Sequence, residues 1–425
     1  RERAAAILAE GRGSVSAGRM GAATTRDLLG DYGTFLRGLV DLSGIRPLKV
    51  VVDAANGMAG LTVPAVLGTA AGLAPLPLEI IPLYFELDGT FPNHEANPLD
   101  PANLVDLQRA VVEHGADLGL AFDGDADRCF VVDERGEPVS PSAITGLVAS
   151  RAIAKEVAAG VPVGEVHIVH NVISSLAVPE LIVARGAVPV RTRVGHSFIK
   201  AEMASAGAVF GGEHSAHYYF REFWFADTGM LAALHVLAAL GEQDQPLSGL
   251  VAEFSPYAAS GEINSTVADV PAATARVLDW AAAQGLVGEE TDGLTISHPA
   301  IAGSSMWWLN LRASNTEPLL RLNVEASDAE TMARVRDEVL ALVRGQGTAS
   351  PAPAAAPLVT MDAPAVGDVP EAQAEAAAAD VVTGIAPWVR AILRCPACLG
   401  VLRDTDDGRG PELACTDEAC AGIYP

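Results

Sequence analysis

Short apolar runs alternate with amphipathic stretches through the first third of the chain. Residues 49–53, 78–85 and 117–122 are strand-like runs, and an Asn-Gly turn follows the first of them. Between the last two runs, apolar residues recur at helical spacing. Strands that alternate with helices predict a doubly wound α/β domain with a parallel sheet, which we place at residues 24–137.

A second unit with the same alternation begins near residue 138. Its strands are predicted at 166–170 and 188–193, with helices between and after them. Around residue 254 the pattern changes to fewer helices and more strand pairs. The sequence therefore predicts two successive doubly wound α/β domains, the second at 138–253, followed by a smaller α+β domain at 254–346.

The composition changes again beyond the third domain. Residues 347–386 are rich in Ala, Pro and Glu and hold hardly any aromatic side chains, so we expect a disordered, flexible linker. Cysteines cluster in the following segment, 387–425, whereas Cys129 stands alone in an apolar run and is expected to be a small buried hydrophobe. This uneven distribution favours a metal site in a reducing compartment over a disulfide framework.

The overall charge excludes some classes of partner. The 425 residues include 28 basic and 53 acidic side chains, for a net charge of -25. Such a surface repels nucleic acid and anionic lipid, so we expect neither as a partner. Residues 61–78 are uncharged and nominally long enough for a membrane span, but prolines and glycines interrupt them, which favours a buried helix running into a loop. Because the N-terminal residues do not resemble a signal peptide, we expect a soluble, cytoplasmic protein.

A loop of alternating carboxylates follows the strand at 117–122. Asp123, Asp125 and Asp127 repel one another unless a cation neutralises them, and oxygen ligands favour Mg²⁺ or Ca²⁺. Arg128 adds a fork-shaped donor suited to a phosphate oxygen. A solvated acidic turn is the alternative. A calcium-binding EF-hand loop does not fit, because Arg128 stands where that loop needs glycine.

Two further loops carry polar side chains suited to a sugar phosphate. Glu213, Ser215 and His217 offer donors and acceptors for vicinal hydroxyls, although such residues on a loop are usually only solvated. His196 lies on a similar turn, where the alternative is a helix cap by Ser197. The third loop presents charged, hydroxyl and amide groups, which form a cradle for a phosphate: Arg312, Ser314, Asn315 and Thr316. A plain β-turn would explain this turn but not its arginine.

These motifs resemble a known family. Asp-Gly-Asp-Ala-Asp-Arg, Gly-Glu-His-Ser-Ala-His and Arg-Ala-Ser-Asn-Thr-Glu-Pro, in this order, together with the Phe91-Pro-Asn-His94 loop, resemble the α-D-phosphohexomutases. The Gly-Glu-His-Ser form is similar to the phosphomannomutase/phosphoglucomutase group, since the glucosamine mutases usually have Gln in place of His214. The resemblance extends over residues 24–344, the family's second, third and fourth domains, and implies that residues 1–23 are a remnant of the first.

The resemblance implies a reversible isomerisation of hexose 1-phosphate and hexose 6-phosphate, with mannose or glucose as the sugar. A phosphoserine donates its phosphoryl group, and the bisphosphate intermediate reorients before one phosphate returns to the serine. Mg²⁺ would be held by the three aspartates at 123, 125 and 127, with Arg128 as the catalytic side chain. The remaining implied residues bind the sugar hydroxyls and the phosphate that is not reacting: His196, Glu213, Ser215, His217, Arg312, Ser314, Asn315 and Thr316.

Two departures from the family pattern stand out. Ala216 occupies a position where the family more often has glycine, and no loop of the form Thr-Ala-Ser-His-Asn-Pro occurs in the sequence. Without that serine, the chain as written is expected to lack mutase activity. We favour a fragment of an enzyme. The alternative is a non-catalytic remnant that binds sugar phosphate and is fused to a module that docks an unidentified protein partner.

That module is predicted from the cysteine spacing at the C-terminal end. Cys395 and Cys398 form one pair, and Cys415 and Cys420 form a second, wider pair. Four thiolates at this spacing predict a structural zinc ribbon, with four unrelated cysteines as the alternative. The surrounding sequence resembles the small zinc-ribbon proteins that partner methyltransferases.

Overall fold

The computed structural model of the protein describes residues 25–300, 304–314 and 319–345, together with the backbone of three short strands between residues 402 and 424. The chain divides into two compact units, residues 1–351 and residues 352–425. The predicted linker lies outside the described residues, as do Asn315 and Thr316.

The first domain is a five-stranded mixed sheet with helices packed against it. Its strands are β1 (Leu48–Asp53), β2 (Leu78–Leu83), β3 (Leu118–Phe122), β4 (Cys129–Asp133) and β5 (Pro138–Val139), and its helices are α1 (Leu29–Leu39), α2 (Ala59–Val66) and α3 (Val105–His114). The strand order is β2-β1-β3-β4-β5. β1 pairs in parallel with β2 and β3, and its apolar side chains are buried almost throughout, as expected for a strand covered on both faces.

The prediction of a parallel sheet is confirmed for these three strands only. β4 and β5 return antiparallel, because only residues 123–128 separate β3 from β4, which is too short for a helical crossover. The uncharged stretch after β1 forms the short helix α2, which contains Pro64, and then a loop. Among the described residues, no helix combines the length and hydrophobicity that a bilayer span requires.

The second domain repeats the topology of the first. Its strands are β6 (His167–Asn171), β7 (Val188–Thr192), β8 (Phe210–Gly212), β9 (Tyr218–Phe220) and β10 (Ala226–Asp227), and its helices are α4 (Pro141–Ala158), α5 (Ala177–Ala184), α6 (His196–Ala206), α7 (Gly229–Gly241) and α8 (Leu247–Val251). The order β7-β6-β8-β9-β10 matches β2-β1-β3-β4-β5 strand for strand, with the same parallel and antiparallel pairs. The β3–β4 loop and the β8–β9 loop therefore occupy equivalent places in two copies of one fold.

The two α/β domains share a hydrophobic core, whereas the third domain has its own. Buried side chains of both sheets, such as Val51 and Phe210, belong to one continuous cluster. The core of the third domain is a separate cluster that includes Leu309 and Val335. This division allows the third domain to pack as a distinct layer.

The third domain is an antiparallel sheet with two helices, as the α+β prediction required. Its elements are β11 (Ala258–Ala259), β12 (Ile263–Thr266), α9 (Val270–Ala283), β13 (Gly288–Glu289), β14 (Leu294–His298), β15 (Trp307–Ala313), β16 (Leu319–Ala326) and α10 (Ala329–Val343). The sheet order is β11-β16-β15-β14-β13, and β12 also pairs with β16. Asp269 and Asp328 begin the two helices by accepting hydrogen bonds from backbone N–H groups of the first turn.

The described residues of the second unit form three antiparallel strands: β17 (Leu402–Asp406), β18 (Pro411–Cys415) and β19 (Ile423–Tyr424). Cys415 ends β18, and only its backbone is described. Cys395, Cys398 and Cys420 lie outside the described residues, so the zinc ribbon stays a prediction.

Candidate active site

The two equivalent hairpin loops of the α/β domains contact each other. Arg128 and His217 form an isolated antiparallel bridge, and the N–H of Cys129 donates to the carbonyl of Ala216 at 3.4 Å. Each loop contains the same tight turn. Ala126 and Ala216 both adopt left-handed φ values, 63° and 65°, a region that favours glycine. This backbone explains why a glycine suits position 216 and why alanine there carries strain.

The β3–β4 loop gathers the predicted carboxylate cluster. Oxygen atoms of Asp123, Asp125 and Asp127 lie within 4.8 Å of one another. Asp123 is buried and Asp125 is exposed, while Oδ1 of Asp127 is buried without a hydrogen-bond partner. Three close carboxylates with an unsatisfied oxygen are unfavourable without a cation. The residues present therefore fit a hard divalent ion such as Mg²⁺.

Arg128 is fixed beside this cluster by two partners. Its Nε donates to Oδ2 of Asp123 at 2.7 Å, and its backbone N–H donates to Oδ1 of the same residue. Nη1 donates to Oδ1 of Asn97 at 3.2 Å. Burial raises the pKa of Asp123 although the charge and hydrogen bonds of Arg128 oppose that shift. The guanidinium is thus oriented before any ligand binds.

The loop at residues 91–98 packs beside the carboxylate cluster and supplies Asn97, the partner of Arg128. Its His94 lies with Nε2 3.0 Å from Oδ2 of Asp53, the buried residue that ends β1. The hydrogen bond with Asp53 raises the pKa of His94. The sequence pattern marked this loop but did not identify Asn97 as the partner of Arg128, because that contact joins segments distant in the chain.

In the β8–β9 loop, Glu213 is almost fully buried and engaged. Its Oε1 accepts hydrogen bonds from Nδ2 of Asn171 and from the N–H of Gly195, at 3.2 and 3.0 Å, and its Oε2 accepts one from the hydroxyl of Tyr219 at 2.7 Å. This network joins the loop to the turn before α6 and so brings His196, the exposed first residue of that helix, to the same region. The alternative of a helix cap by Ser197 is wrong, since the cap residue is Gly195.

His217 connects the two loops through its side chain. Nδ1 lies 2.9 Å from the hydroxyl of Ser215, and Nε2 lies 3.6 Å from Oδ2 of Asp127. Burial acts to lower the pKa of His217, but the contacts with Asp127 and the nearby charge of Glu213 outweigh it and raise that pKa. The structure thus brings Ser215 and His217 together with the carboxylate cluster.

A pair of arginines occupies the hairpin of the third domain. Arg312 on β15 stands directly opposite Arg321 on β16, and both Nε atoms are buried without a hydrogen-bond partner. Glu262 lies between them, with Oε1 3.1 Å from Nη1 of Arg321 and Oε2 3.6 Å from Nη2 of Arg312. Like charges opposite each other on neighbouring strands are unfavourable, so this pair is suited to an anion.

Arg321 was not among the predicted residues. The sequence pointed to the turn beginning at Arg312, whereas cross-strand pairing is what places Arg321 beside it. A period of two along β16 could have indicated that the two arginines share a face of the sheet. Ser314 lies at the start of this turn, where its N–H donates to the carbonyl of Leu319 at 2.8 Å.

Polar contacts hold the third domain against the second. The carboxylate of Glu325 accepts hydrogen bonds from Nε1 of Trp308 at 2.6 Å and from the N–H of Leu176, just before α5, at 2.9 Å. Asp292 accepts from the N–H of Val194 at 2.9 Å, close to the turn that leads to His196. The arginine pair and the β8–β9 loop consequently belong to one compact unit.

Comparison with protein families identifies three matching domains. Residues 31–136 match "Phosphoglucomutase/phosphomannomutase, alpha/beta/alpha domain II", residues 141–257 match domain III of the same family, and residues 262–342 match its C-terminal domain.

Curated relatives and a solved structure agree with these matches. The chain is 42% identical over 317 residues to "Phosphohexose mutases" of Xanthomonas campestris, covering 74% of this chain and 66% of the relative. An Escherichia coli phosphomannomutase is 37% identical over 333 residues, covering 78% of this chain and 70% of that protein. A phosphoglucomutase/phosphomannomutase family protein of Burkholderia thailandensis superimposes with a TM-score of 0.66 at 27% identity, covering 80% of this chain and 69% of that one. The chain thus spans 66% of the length of the Xanthomonas relative.

Proposed function

Because the chain belongs to the phosphoglucomutase/phosphomannomutase family, we propose that it forms the metal-, sugar- and phosphate-binding part of a hexose-phosphate mutase. The reaction is the reversible interconversion of hexose 6-phosphate and hexose 1-phosphate, with mannose or glucose as the sugar. The observation that carries this proposal is the contact between the carboxylate loop and the β8–β9 loop through Arg128, His217 and Asp127. This contact brings the residues proposed for phosphoryl transfer close to those proposed for sugar binding.

We assign the metal to the carboxylate cluster. Asp123, Asp125 and Asp127 would hold Mg²⁺, which when bound supplies charge neutralisation for a transferring phosphoryl group. The Aspergillus fumigatus N-acetylphosphoglucosamine mutase was crystallised "in complex with GlcNAc-6P and magnesium", but at 16% identity that protein shares only the fold with this chain. The support here is the chemistry of the donor set.

Arg128 is the proposed catalytic side chain. Its hydrogen bonds to Asp123 and Asn97 fix the guanidinium plane, so little conformational freedom is lost when it meets a phosphoryl oxygen. Phosphoryl transfer depends mainly on such positioning and on charge stabilisation. The reaction also needs a phosphoserine, which the family resemblance assigns to a loop that these 425 residues lack.

The sugar would bind at the β8–β9 loop. Ser215 and His217 form a hydrogen-bonded pair that can exchange its partners for vicinal hydroxyls, and His196 begins helix α6 directly after the adjoining turn. Glu213 already accepts three hydrogen bonds, so its main contribution is to fix the loop, with any remaining lone pair facing a hydroxyl.

The phosphate that is not reacting would bind in the third domain. Arg312 and Arg321 supply paired guanidinium donors, and the turn residues Ser314, Asn315 and Thr316 add hydroxyl and amide groups. Because a phosphate dianion can accept from both forks, it satisfies donors that the single Glu262 carboxylate leaves unpaired.

The C-terminal cysteines form a second proposed site. Cys395, Cys398, Cys415 and Cys420 would hold a structural Zn²⁺, supported by their spacing and by the position of Cys415 at the end of β18. Metal analysis of the purified chain should give about one zinc per chain, which is lost in Cys395→Ser. Zinc content unchanged by Cys395→Ser would contradict the site.

The mutase proposal is tested in two steps. Calorimetry of the 425-residue chain with Mg²⁺ should detect binding of glucose 1-phosphate or mannose 1-phosphate, and no binding at millimolar ligand would contradict the proposal. A chimera in which the serine-bearing first domain of a relative precedes this chain should then turn over hexose phosphate. A chimera that is folded and binds ligand but shows no turnover would instead favour the non-catalytic alternative.

A further inference from the structure

We propose that Glu262 is a positioning residue that occupies the arginine pair of the third domain when no phosphate is bound and is displaced by the ligand's phosphate. This inference rests on the proposed phosphate site and adds a competing internal anion to it. Glu262 would thereby set the affinity for phosphorylated ligands while keeping the empty site intact.

Three neighbouring strands place the two arginines in one row with Asn264, and Glu262 lies beside that row. β12 pairs with β16, which aligns Asn264 with Arg321, and β16 pairs with β15, which aligns Arg321 with Arg312. Glu262 immediately precedes β12 and so reaches across the edge of this row. Both of its oxygens are used, one for each arginine.

The charges in and beside this row do not balance. Two guanidinium groups, which stay protonated at any relevant pH, face one carboxylate. All three side chains are largely withdrawn from solvent, with exposures of 17% for Arg312, 30% for Arg321 and 19% for Glu262. The net positive charge is therefore only partly screened, and it attracts a further anion.

The contacts of Glu262 with the two arginines are weak enough for a phosphate to replace its carboxylate. Each arginine meets Glu262 through a single close nitrogen–oxygen contact, and the 3.6 Å separation at Arg312 exceeds a hydrogen bond. Both buried Nε atoms lack a partner. A phosphate that engages the guanidinium edges bidentately forms stronger contacts than the carboxylate does, so it can displace Glu262.

This arrangement predicts effects of opposite sign on stability and on affinity. In the empty protein, Glu262 relieves repulsion between Arg312 and Arg321, so its charge stabilises the fold. In the complex, the same charge lies close to the bound phosphate and weakens binding. If Glu262 had a purely structural role, its removal would lower stability and phosphate affinity together.

The test compares Glu262→Gln with Glu338→Gln, which removes the carboxylate that pairs with exposed Arg334 on α10 of the same domain. Calorimetry with inorganic phosphate, and separately with glucose 1-phosphate, should show about fivefold tighter binding to Glu262→Gln. Its ligand-free melting temperature should fall by about 2–4 °C. Glu338→Gln should change neither quantity.

Weaker or unchanged phosphate binding by Glu262→Gln would overturn the inference. If that variant does not fold, Glu262→Asp is the substitute: its shorter side chain cannot hold both arginines and so competes less with the ligand, and tighter phosphate binding remains the expected result. Arg312→Ala and Arg321→Ala separate the inference from the site it depends on. If neither arginine variant weakens phosphate binding, the phosphate site itself is misassigned, whereas failure of the glutamate variants alone leaves that site standing.

Discussion

The imidazole Nε2 of His217 lies 3.6 Å from Oδ2 of Asp127, and this contact joins the equivalent hairpin loops of two structurally repeated domains. The first loop carries three aspartates, and the second carries hydroxyl and imidazole groups beside the buried Glu213. Both loops have the same turn, with Ala126 and Ala216 in the left-handed region. The same loop conformation thus carries different functional side chains in the two domains. Their meeting point is where we place phosphoryl transfer.

Asp125→Asn should remove the metal response without unfolding the protein. Asp125 is exposed within the carboxylate cluster, so losing its charge relieves repulsion and leaves the ligand-free melting temperature unchanged or slightly higher. Affinity for Mg²⁺ should fall more than about tenfold. Thermal unfolding across a Mg²⁺ titration measures both effects.

The matched control is Asp244→Asn, an exposed aspartate in the loop after α7. It should leave the Mg²⁺-dependent rise in melting temperature intact. A normal Mg²⁺ response in Asp125→Asn would show that the cluster does not bind the ion as proposed. In the chimera that carries a serine domain, Asp125→Asn should abolish turnover.

Gly57→Ala should displace the carboxylate loop, although Gly57 belongs to the turn after β1 and not to that loop. A Cβ at Gly57 would lie 2.6 Å from the carbonyl oxygen of Gly124, and Met58 also donates its N–H to that oxygen. Because the atoms that this Cβ would meet belong to the backbone, the carboxylate loop must shift. We expect the unfolding free energy to fall by roughly 1–3 kcal/mol and Mg²⁺ binding to weaken. Urea unfolding and Mg²⁺ titration would measure the two effects.

Gly44→Ala serves as the comparison, because a Cβ there meets no atom within 4 Å. It should change neither unfolding free energy nor Mg²⁺ affinity appreciably. Equal behaviour of the two alanine variants would mean that the close approach of Gly57 to the metal loop is unimportant.

The Gly57 contact also shows where sequence-based reasoning reaches its limit. The Asn-Gly pair predicted a turn correctly, but its contact with Gly124 depends on the pairing of β1 with β3. Apolar runs predicted the central strands well because burial on both faces leaves a continuous signal. The same reasoning identified the carboxylate loop, whose residues are adjacent in the chain.

Contacts between distant segments were not predictable in this way. Arg321 and Asn97 acquire their places only through strand pairing and loop packing. Glu213 was expected to face a sugar, yet it is buried among Asn171, Gly195 and Tyr219. A local motif specifies which residue types are present, whereas burial depends on what the fold places around them.

Stability should depend on pH through His94. Its folded-state pKa is raised by the hydrogen bond with buried Asp53. The protonated form therefore stabilises the fold fully below the unfolded-state pKa near 6.5, and this contribution disappears as pH rises through the higher folded-state value. His94→Gln should lower the unfolding free energy by about 1–2 kcal/mol at pH 6 and by clearly less at pH 9.

Urea unfolding at the two pH values measures this difference. His114→Gln, at the exposed end of α3, is the comparison variant. An equal loss at both pH values for His94→Gln would indicate that packing, not the charged contact with Asp53, explains the effect.

Arg312→Ala should weaken binding of hexose phosphate and, in the serine-bearing chimera, lower kcat/KM about tenfold or more, since a charge-assisted contact contributes roughly 1.5–3 kcal/mol. The phosphate it would hold is remote from the reacting bond, so both KM and kcat should suffer as substrate orientation is lost. Arg312→Lys should recover only part of the activity, because an ammonium lacks the two-pronged geometry. Arg334→Ala, on the exposed face of α10, should leave kinetics unchanged. A kcat/KM for Arg312→Ala within about twofold of the parent would make Arg312 a structural residue of the hairpin.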